Sequence, residues 1–286
     1  MKNISKIIFL IAFAFAVSCN KTEEQKPLSN TNIVITKEHE DIPVNQEDNS
    51  LERVKNTGIL TLGLDDTFAP MGFKDEIGDV VGFDIDLARE VAARMGVKLN
   101  TKTINWGNST SILTNGEVDV LWNGLNINSE RSKSMIFSKP YLNNMLIIVK
   151  YVDDETINSI DDLAGKVVAV QYGGNYEQIA HHPIISKIKE LKKYDLNTDA
   201  LIDLQNGRVD AVVLDDVYAN YYIAEKKVPF AVVQSTPFTD GLYVVGFKKS
   251  DVKLRDEINR ILDEMKADGT TAEISKKWFG KDIVLK

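Results

Sequence analysis

Two rhythms of apolar and polar positions run along this chain. Residues 7–17 are almost wholly apolar and follow a start that carries Lys2 and Lys6. From Asn20 to Ser50 the chain is rich in Lys, Glu, Asn, Thr and Asp, with few large apolar residues beyond Ile33-Val34-Ile35. From Leu51 onward, short apolar runs alternate with amphipathic ones. Ile59 to Leu64 reads as a buried strand. Phe83 to Met95 reads as a helix, because Ile85, Ala88, Ala92 and Met95 recur at helical spacing and Gly96 stands where a C-terminal cap belongs. A strand over Lys98 to Ile104, a helix from Ser109 to Asn115 stopping at Gly116, and a strand over Val118 to Trp122 follow. The rhythm then repeats: strand Val167 to Val170, a helix from Asn175 onward into which His181 and His182 fall, and helix Thr198 to Asn206. Strand Val209 to Leu214, helix Val217 to Glu225 and strand Phe230 to Val233 complete it.

Strands alternating with helices predict mainly parallel sheets covered by helices. Asn115-Gly116-Glu117-Val118-Asp119 matches Asn206-Gly207-Arg208-Val209-Asp210. Such a pair fits either a common helix-to-strand turn or two lobes of similar build. The length suits two cores better than one.

Charge and cysteine usage then narrow the setting. Residues 1–18 have the form of a secretion signal: a basic start, an apolar run too short to span a bilayer comfortably, and small residues at Ala16-Val17-Ser18 before Cys19. Cys19 is the sole cysteine, so no intramolecular disulfide can form. A cysteine in this place resembles the bacterial lipobox, in which the thiol is lipidated and becomes the new N-terminus; Ala16 replaces the usual leucine. Residues 19–50 are then expected as a lipidated cysteine and a flexible tether, too polar to bury enough surface to order themselves. Loss of residues 1–18 removes two lysines and moves the formal charge from −8 to −10. An acidic surface disfavours nucleic acid as a partner.

In open parallel sheets, ligands bind beyond the carboxyl ends of the strands. The residues there are Asp65 to Pro70, Asn123-Gly124-Leu125-Asn126, Gln171 to Asn175 and Asp215-Asp216, with Arg131 one short turn after Asn126 near a helix start at Asn128-Ser129-Glu130. They suit a small zwitterion: Arg131 for a carboxylate in a two-pronged contact, an aspartate for an ammonium, and Phe68 for an apolar or flat side chain. Taken singly, Arg131 also fits a surface pair with Glu130 or Asp119, Phe68 fits a core position, Asp215-Asp216 a helix N-cap and Gly173-Gly174 a tight turn.

A resemblance sharpens this. Gly58-Ile59-Leu60-Thr61-Leu62-Gly63 with Phe68-Ala69-Pro70-Met71-Gly72-Phe73 is similar to the opening of family 3 of the bacterial extracellular solute-binding proteins, which serve polar amino-acid ABC transporters. Val81-Gly82-Phe83-Asp84-Ile85-Asp86-Leu87-Ala88 is similar to that family's signature. Ile127 to Arg131, Phe137 to Tyr141, Asp162 to Lys166, Asn206 to Ala211, Asp268-Gly269-Thr270 and Lys277 to Gly280 continue the likeness in the family's order. The resemblance implies a two-lobe α/β clamshell, the type II periplasmic-binding-protein fold, with lobe 1 at 51–144 plus 241–286 and lobe 2 at 145–240. Two segments, near Asn143 to Val149 and near Phe238 to Tyr243, would cross between them. It implies that Arg131 holds an α-carboxylate, Asp215 an α-ammonium and Phe68 a side chain. Asn123, Gly124, Asn126, Gln171, Gly173 and Asn175 would complete the pocket, with Asp65 and Trp106 at positions that contact side chains in some members. Asn123, Asn126 and Asn175 depart from the usual smaller or hydroxyl residues.

The expectation is a lipid-anchored extracytoplasmic monomer that hands a polar amino acid to an ABC permease, without cofactor or metal. Asp65, Phe68 and Trp106 favour arginine or lysine; the amides favour glutamine. The alternative is a periplasmic dehydratase of prephenate-like acids on the same fold, which needs a positioned acid or base. A sensor domain is a third reading, but no membrane helix or kinase segment follows Gly280.

Overall fold

The computed structural model describes residues 47–235 and 237–286; the expected signal, Cys19 and most of the expected tether lie outside them. Helix α1 (Ser50–Thr57) leads into β1 (Ile59–Leu64). A small sheet of β2 (Thr67–Phe68), β3 (Gly72–Lys74) and β4 (Val80–Val81) precedes α2 (Phe83–Met95). β5 (Lys98–Thr103), α3 (Ser109–Thr114), β6 (Val120–Asn126) and α4 (Ser129–Ser134) complete the first run. β7 (Met135–Phe137) and β8 (Leu142–Tyr151) lead to the second: β9 (Val167–Gln171), α5 (Asn175–Ile179), β10 (Glu190–Tyr194), α6 (Asn197–Gln205), β11 (Ala211–Asp215), α7 (Asp216–Lys226) and β12 (Phe230–Val232). β13 (Thr239–Lys248) returns, and α8 (Val252–Ala267) and α9 (Thr270–Phe279) pack back on the first run.

The main sheet has the order β10-β9-β11-β8-β13-β6-β1-β5, with β12 beside β8 and β7 beside β13. Its two ends are parallel triplets: β6-β1-β5 at one, β10-β9-β11 at the other. Between them β8 and β13 run antiparallel to each other and to the strands they adjoin. Leu142 to Leu146 of β8 pair with β13, and Leu146 to Lys150 pair with β11, so one strand serves both halves.

The inner parallel strands β1, β6, β9 and β11 are covered on both faces and therefore largely apolar, whereas β5 and β10 at the two edges are polar. Leu60, Leu62 and Leu64 of β1 are fully buried, each contributing about 1.5–3 kcal/mol relative to exposure. α2 lays Ile85, Ala88, Val91, Ala92 and Met95 against this core, and Gly96 ends it in the left-handed conformation at φ 76°. The paired motifs seen in sequence occupy equivalent places. Asp119 donates its N–H to Thr61 O and accepts from Thr61 N, both at 2.9 Å. Asp210 does the same with Val167, at 2.8 and 2.7 Å. In each half the motif clips the first strand to its neighbour.

Three expectations change. Residues 48–50, assigned to the tether, belong to the folded body: Asp48 Oδ2 accepts from Lys253 N at 2.6 Å and Ser50 Oγ from Leu254 N at 3.1 Å. They satisfy amides at the start of α8 that lack an intrahelical acceptor. The strand expected to end at Trp122 runs on to Asn126, because β13 pairs Tyr243 with Asn126 and Val244 with Leu125. His181 and His182 follow a helix that ends at Ile179, and His182 Nδ1 accepts from Ile184 N as the cap of a short 3-10 turn.

Candidate ligand-binding site

The carboxyl ends of the parallel strands in both halves converge on one partly open cavity, with about 280 Å³ of non-atom space that includes its mouth to solvent. From the β1 side come Asp65 and Phe68; from the turn after β5 comes Trp106; from β6 come Asn123, Gly124 and Asn126. Arg131 enters from α4, whose start is fixed by Asn128 Oδ1 accepting from Arg131 N at 2.8 Å. The other half supplies Gln171 at the end of β9, Asn175 in α5 and Asp215 at the end of β11. Gly173 is the one expected residue outside the lining. It lies at the rim with φ 74°, and a Cβ there would fall 2.4 Å from Gly107 Cα across the cleft. Gly174 of the loop after β9 lines the cavity, and Gln178 does so without having been expected.

Arg131 is 6% exposed, and Nη1 and Nη2 donate to the carbonyls of Asn126 (2.8 Å) and Gly173 (2.7 Å). Among the described residues no carboxylate is in ion-pair contact with it. A guanidinium has five N–H donors, so three are left over. Burial lowers its pKa to about 10, against the pull of Glu177 and Asp215. It remains a cation at neutral pH.

Asp215 is buried on the facing half. Oδ1 accepts from Asn144 Nδ2 (2.6 Å), Tyr243 OH (3.0 Å) and Asn126 Nδ2 (3.1 Å), and Oδ2 from Asn175 Nδ2 (2.8 Å). Burial raises its pKa, and those four donors work against the rise. Oδ2, with a single donor, keeps acceptor capacity for a further N–H. Asp65 is also buried with a raised pKa. Its Oδ1 takes the N–H and hydroxyl of Thr67, and its Oδ2 takes Gln171 Nε2 at 2.9 Å from the other half.

Phe68 was expected against a ligand side chain. One face of its ring stacks on Tyr218 of α7, centroids 5.0 Å apart and planes 11° from parallel. Its edge packs on Gly124, where an added Cβ would lie 2.6 Å from Phe68 Cε1. Sequence reasoning also passed over the residues behind the lining. Asn197 Nδ2 holds Gln171 Oε1 at 2.9 Å, and Asn144 and Tyr243 come from the crossing strands β8 and β13. An amide inside an otherwise apolar strand, as at Asn144, is the signal that marks such a position. Among the described residues no group of three His, Cys, Asp or Glu could hold a metal ion, and no helix is long and apolar enough to cross a membrane.

Residues 60–281 match the model of the bacterial extracellular solute-binding proteins, family 3. The L-cystine-binding protein TcyJ of Escherichia coli K12 is 32% identical over 234 residues, 82% of this chain and 87% of that protein. An ABC-transporter substrate-binding protein from Streptococcus pneumoniae with bound histidine superposes with a TM-score of 0.80 at 34% identity, covering 84% of this chain and 99% of the other. An ancestral arginine-binding protein bound to arginine superposes with a TM-score of 0.74 at 38% identity, covering 78% and 98%.

Proposed function

The chain belongs to the bacterial extracellular solute-binding proteins of family 3, with their two-lobe type II fold, and from that premise we propose that it captures a polar amino acid between its lobes for delivery to an ABC importer. The same membership sets the dehydratase reading aside, since the family and its relatives bind substrates and are not enzymes. It also puts the protein outside the cytoplasm.

The observation that carries the proposal is Arg131: a buried guanidinium with unspent donors at a cavity that also holds Asp215. A carboxylate leaving water needs a partner that replaces its solvation, and the planar fork supplies two parallel charge-assisted bonds. Asp215 Oδ2 then takes the α-ammonium. Cations and anions in the lining also favour a ligand class. Arg131 and Asp215 match the two charges of the amino-acid backbone. That leaves the buried carboxylate of Asp65, with Trp106 and Phe68 nearby, best balanced by a cationic side chain such as that of arginine or lysine. Glutamine is the second reading, supported by the amides of Asn123, Gln171 and Asn175.

A thermal-shift panel of L-arginine, L-lysine, L-glutamine, L-histidine and L-cystine tests this, because a ligand that binds only the folded state raises its stability. Arginine or lysine should give the largest rise. A larger rise with glutamine or cystine overturns the cationic preference, and no rise with any of them overturns the amino-acid reading. Amidated or N-acetylated forms of the best ligand should bind far more weakly.

The expected anchor is part of the same proposal. The signal-like residues 1–18 and the lipobox-like Cys19 support a lipid anchor. Replacing Cys19→Ala should release the protein from membranes; a variant that still sediments with membrane after a salt wash excludes the anchor.

A further inference from the structure

We propose that Asp84, which lies outside the cavity lining, is a positioning residue for the ligand site, and that gain or loss of its proton resets the Asn123-Gly124 segment. The proposal rests on the reading of this cavity as an amino-acid site.

Asp84 ties together two segments that carry lining residues. Its N–H donates to Met71 O at 2.9 Å and the preceding Phe83 N–H to Pro70 O at 2.8 Å, which fixes the turn behind Phe68. Gly82 makes this approach possible: it has φ 143°, and an added Cβ would lie 2.3 Å from Met71 O. The Asp84 side chain reaches the other way, where Oδ2 accepts from Gly124 N at 2.7 Å. Gly124 adjoins Asn123, whose Oδ1 accepts from Asp65 N at 3.0 Å. One carboxylate therefore sits behind Phe68, Asn123 and Asp65 together.

The remaining oxygen, Oδ1, is buried without a hydrogen-bond partner, and so are Trp122 Nε1 and the Tyr141 hydroxyl. Both donors favour the Asp84 anion while falling short of formed hydrogen bonds. Tyr141 is the titratable group that faces Asp84. Trp122 and Gly124 face it from β6, and the Phe83 ring beside it packs on Phe279 of α9. On its own helix, Asp86 is engaged with Arg89, Lys277 and Trp278. Among the described residues no cation and no second carboxylate enters the balance at Asp84. Full burial lifts its carboxyl to about 7, with the Gly124, Tyr141 and Trp122 donors pulling the other way.

The ionised form makes a short, charge-assisted bond to Gly124 N–H. The protonated form is a weaker acceptor and must itself place an O–H. Ionisation thus holds the Asn123-Gly124 segment against Phe68, the arrangement described above, and protonation loosens it. Ligand affinity should fall as pH drops through the titration. By reciprocity a bound ligand should lower the titration midpoint.

The test reads the Gly124 amide by 15N–1H spectroscopy in ligand-free protein between about pH 5.5 and about pH 8, and L-arginine affinity by calorimetry over the same range. The wild-type amide should titrate with its midpoint near 7. Asp84→Asn should abolish that titration. Tyr141→Phe, which removes one donor to the anion, should move the midpoint upward. Affinity for L-arginine should drop about tenfold toward low pH in the wild type, the effect of a midpoint moved by about one unit, and much less in Asp84→Asn. A Gly124 amide that stays flat, or an Asp84→Asn variant with the wild-type pH dependence, overturns the proposal. Should Asp84→Asn fail to fold, the wild-type and Tyr141→Phe titrations decide. Absence of L-arginine binding at every pH speaks against the ligand reading alone, since the amide titration does not depend on it.

Discussion

Arg131 concentrates the chemistry of the site in one side chain. Two lost charge-assisted bonds to a ligand carboxylate would cost about 3–6 kcal/mol, or roughly two to four powers of ten in affinity. Arg131→Ala should lose that much in calorimetry, and Arg131→Lys should recover only part, because an ammonium cannot reproduce the fork. Reading Arg131 as a loop residue implies an unchanged fold. Its bonds to Asn126 O and Gly173 O imply otherwise, and ligand-free Arg131→Ala should melt at a measurably lower temperature. An alanine variant that binds like the wild type would remove Arg131 from the site. Asp84 gives a second expectation at this scale, in stability without ligand. Its carboxyl is raised from 3.8 to about 7 in the folded protein. The native state therefore holds a proton that the unfolded chain releases, and stability declines as pH rises through that window, by on the order of 4 kcal/mol from this group. Denaturant titrations of Asp84→Asn should show this decline reduced between about pH 4 and about pH 7. A parallel decline in both proteins would mean that Asp84 titrates at its ordinary value.

Among the elements, β6 decides how the site is held, through a glycine that breaks its regularity. Gly124 has φ 60°, and a Cβ there would meet the Phe68 ring at 2.6 Å. Gly78 also has positive φ, at 91°, but nothing lies within 4 Å of its Cβ position. Both alanine variants carry a backbone cost of about 1–2 kcal/mol. Only Gly124→Ala must also displace Phe68, so it should lose ligand affinity where Gly78→Ala keeps it; equal affinities would show that the Gly124–Phe68 contact does not matter. The elements also show what the sequence makes legible. α2 was readable to its ends because it buries one face at helical spacing and stops at a left-handed glycine. Asp215 was readable because strand ends in parallel sheets face the cleft, and Arg131 because it follows the end of β6 by one short turn. β8 and β13 were less so. Asn143-Asn144 near the start of β8 breaks the apolar alternation, and the buried Asn144 donates to Asp215 and Asn126, partners that are distant in sequence. β10 (Glu190–Tyr194) is an edge strand whose lysines blur its period, as edges commonly do. Pairings across the cavity, such as Gln171 with Asp65, depend on how the halves meet and have no local signature.

At the scale of the whole molecule, the residues proposed to bind ligand are bonded to one another across the cleft. Arg131 reaches Gly173, Gln171 reaches Asp65, Asn126 reaches Asp215, and Phe68 stacks on Tyr218. In the closed cleft a bound amino acid takes the place of some of these pairs and supplies its own hydrogen bonds to the same groups. The halves are joined through the antiparallel pair β8 and β13, and a rotation at those strands can open the cleft without disturbing either parallel triplet. One close approach across the cleft is backbone on backbone: Gly173 lies against Gly107 and the Trp106 carbonyl, where an added Cβ on Gly173 would fall 2.4 Å and 2.8 Å away. No side-chain rotation relieves that contact. Gly173→Ala should therefore fold, with its cost confined to a rim turn, yet stand wedged apart. X-ray scattering should give the wild type a smaller radius of gyration with ligand than without. Gly173→Ala should keep the larger radius at ligand concentrations that saturate the wild type, and its affinity should fall because Arg131 and Asp215 no longer engage one molecule together. If Gly173→Ala contracts on ligand as the wild type does, or the wild type does not contract at all, closure at this rim is not what binding requires.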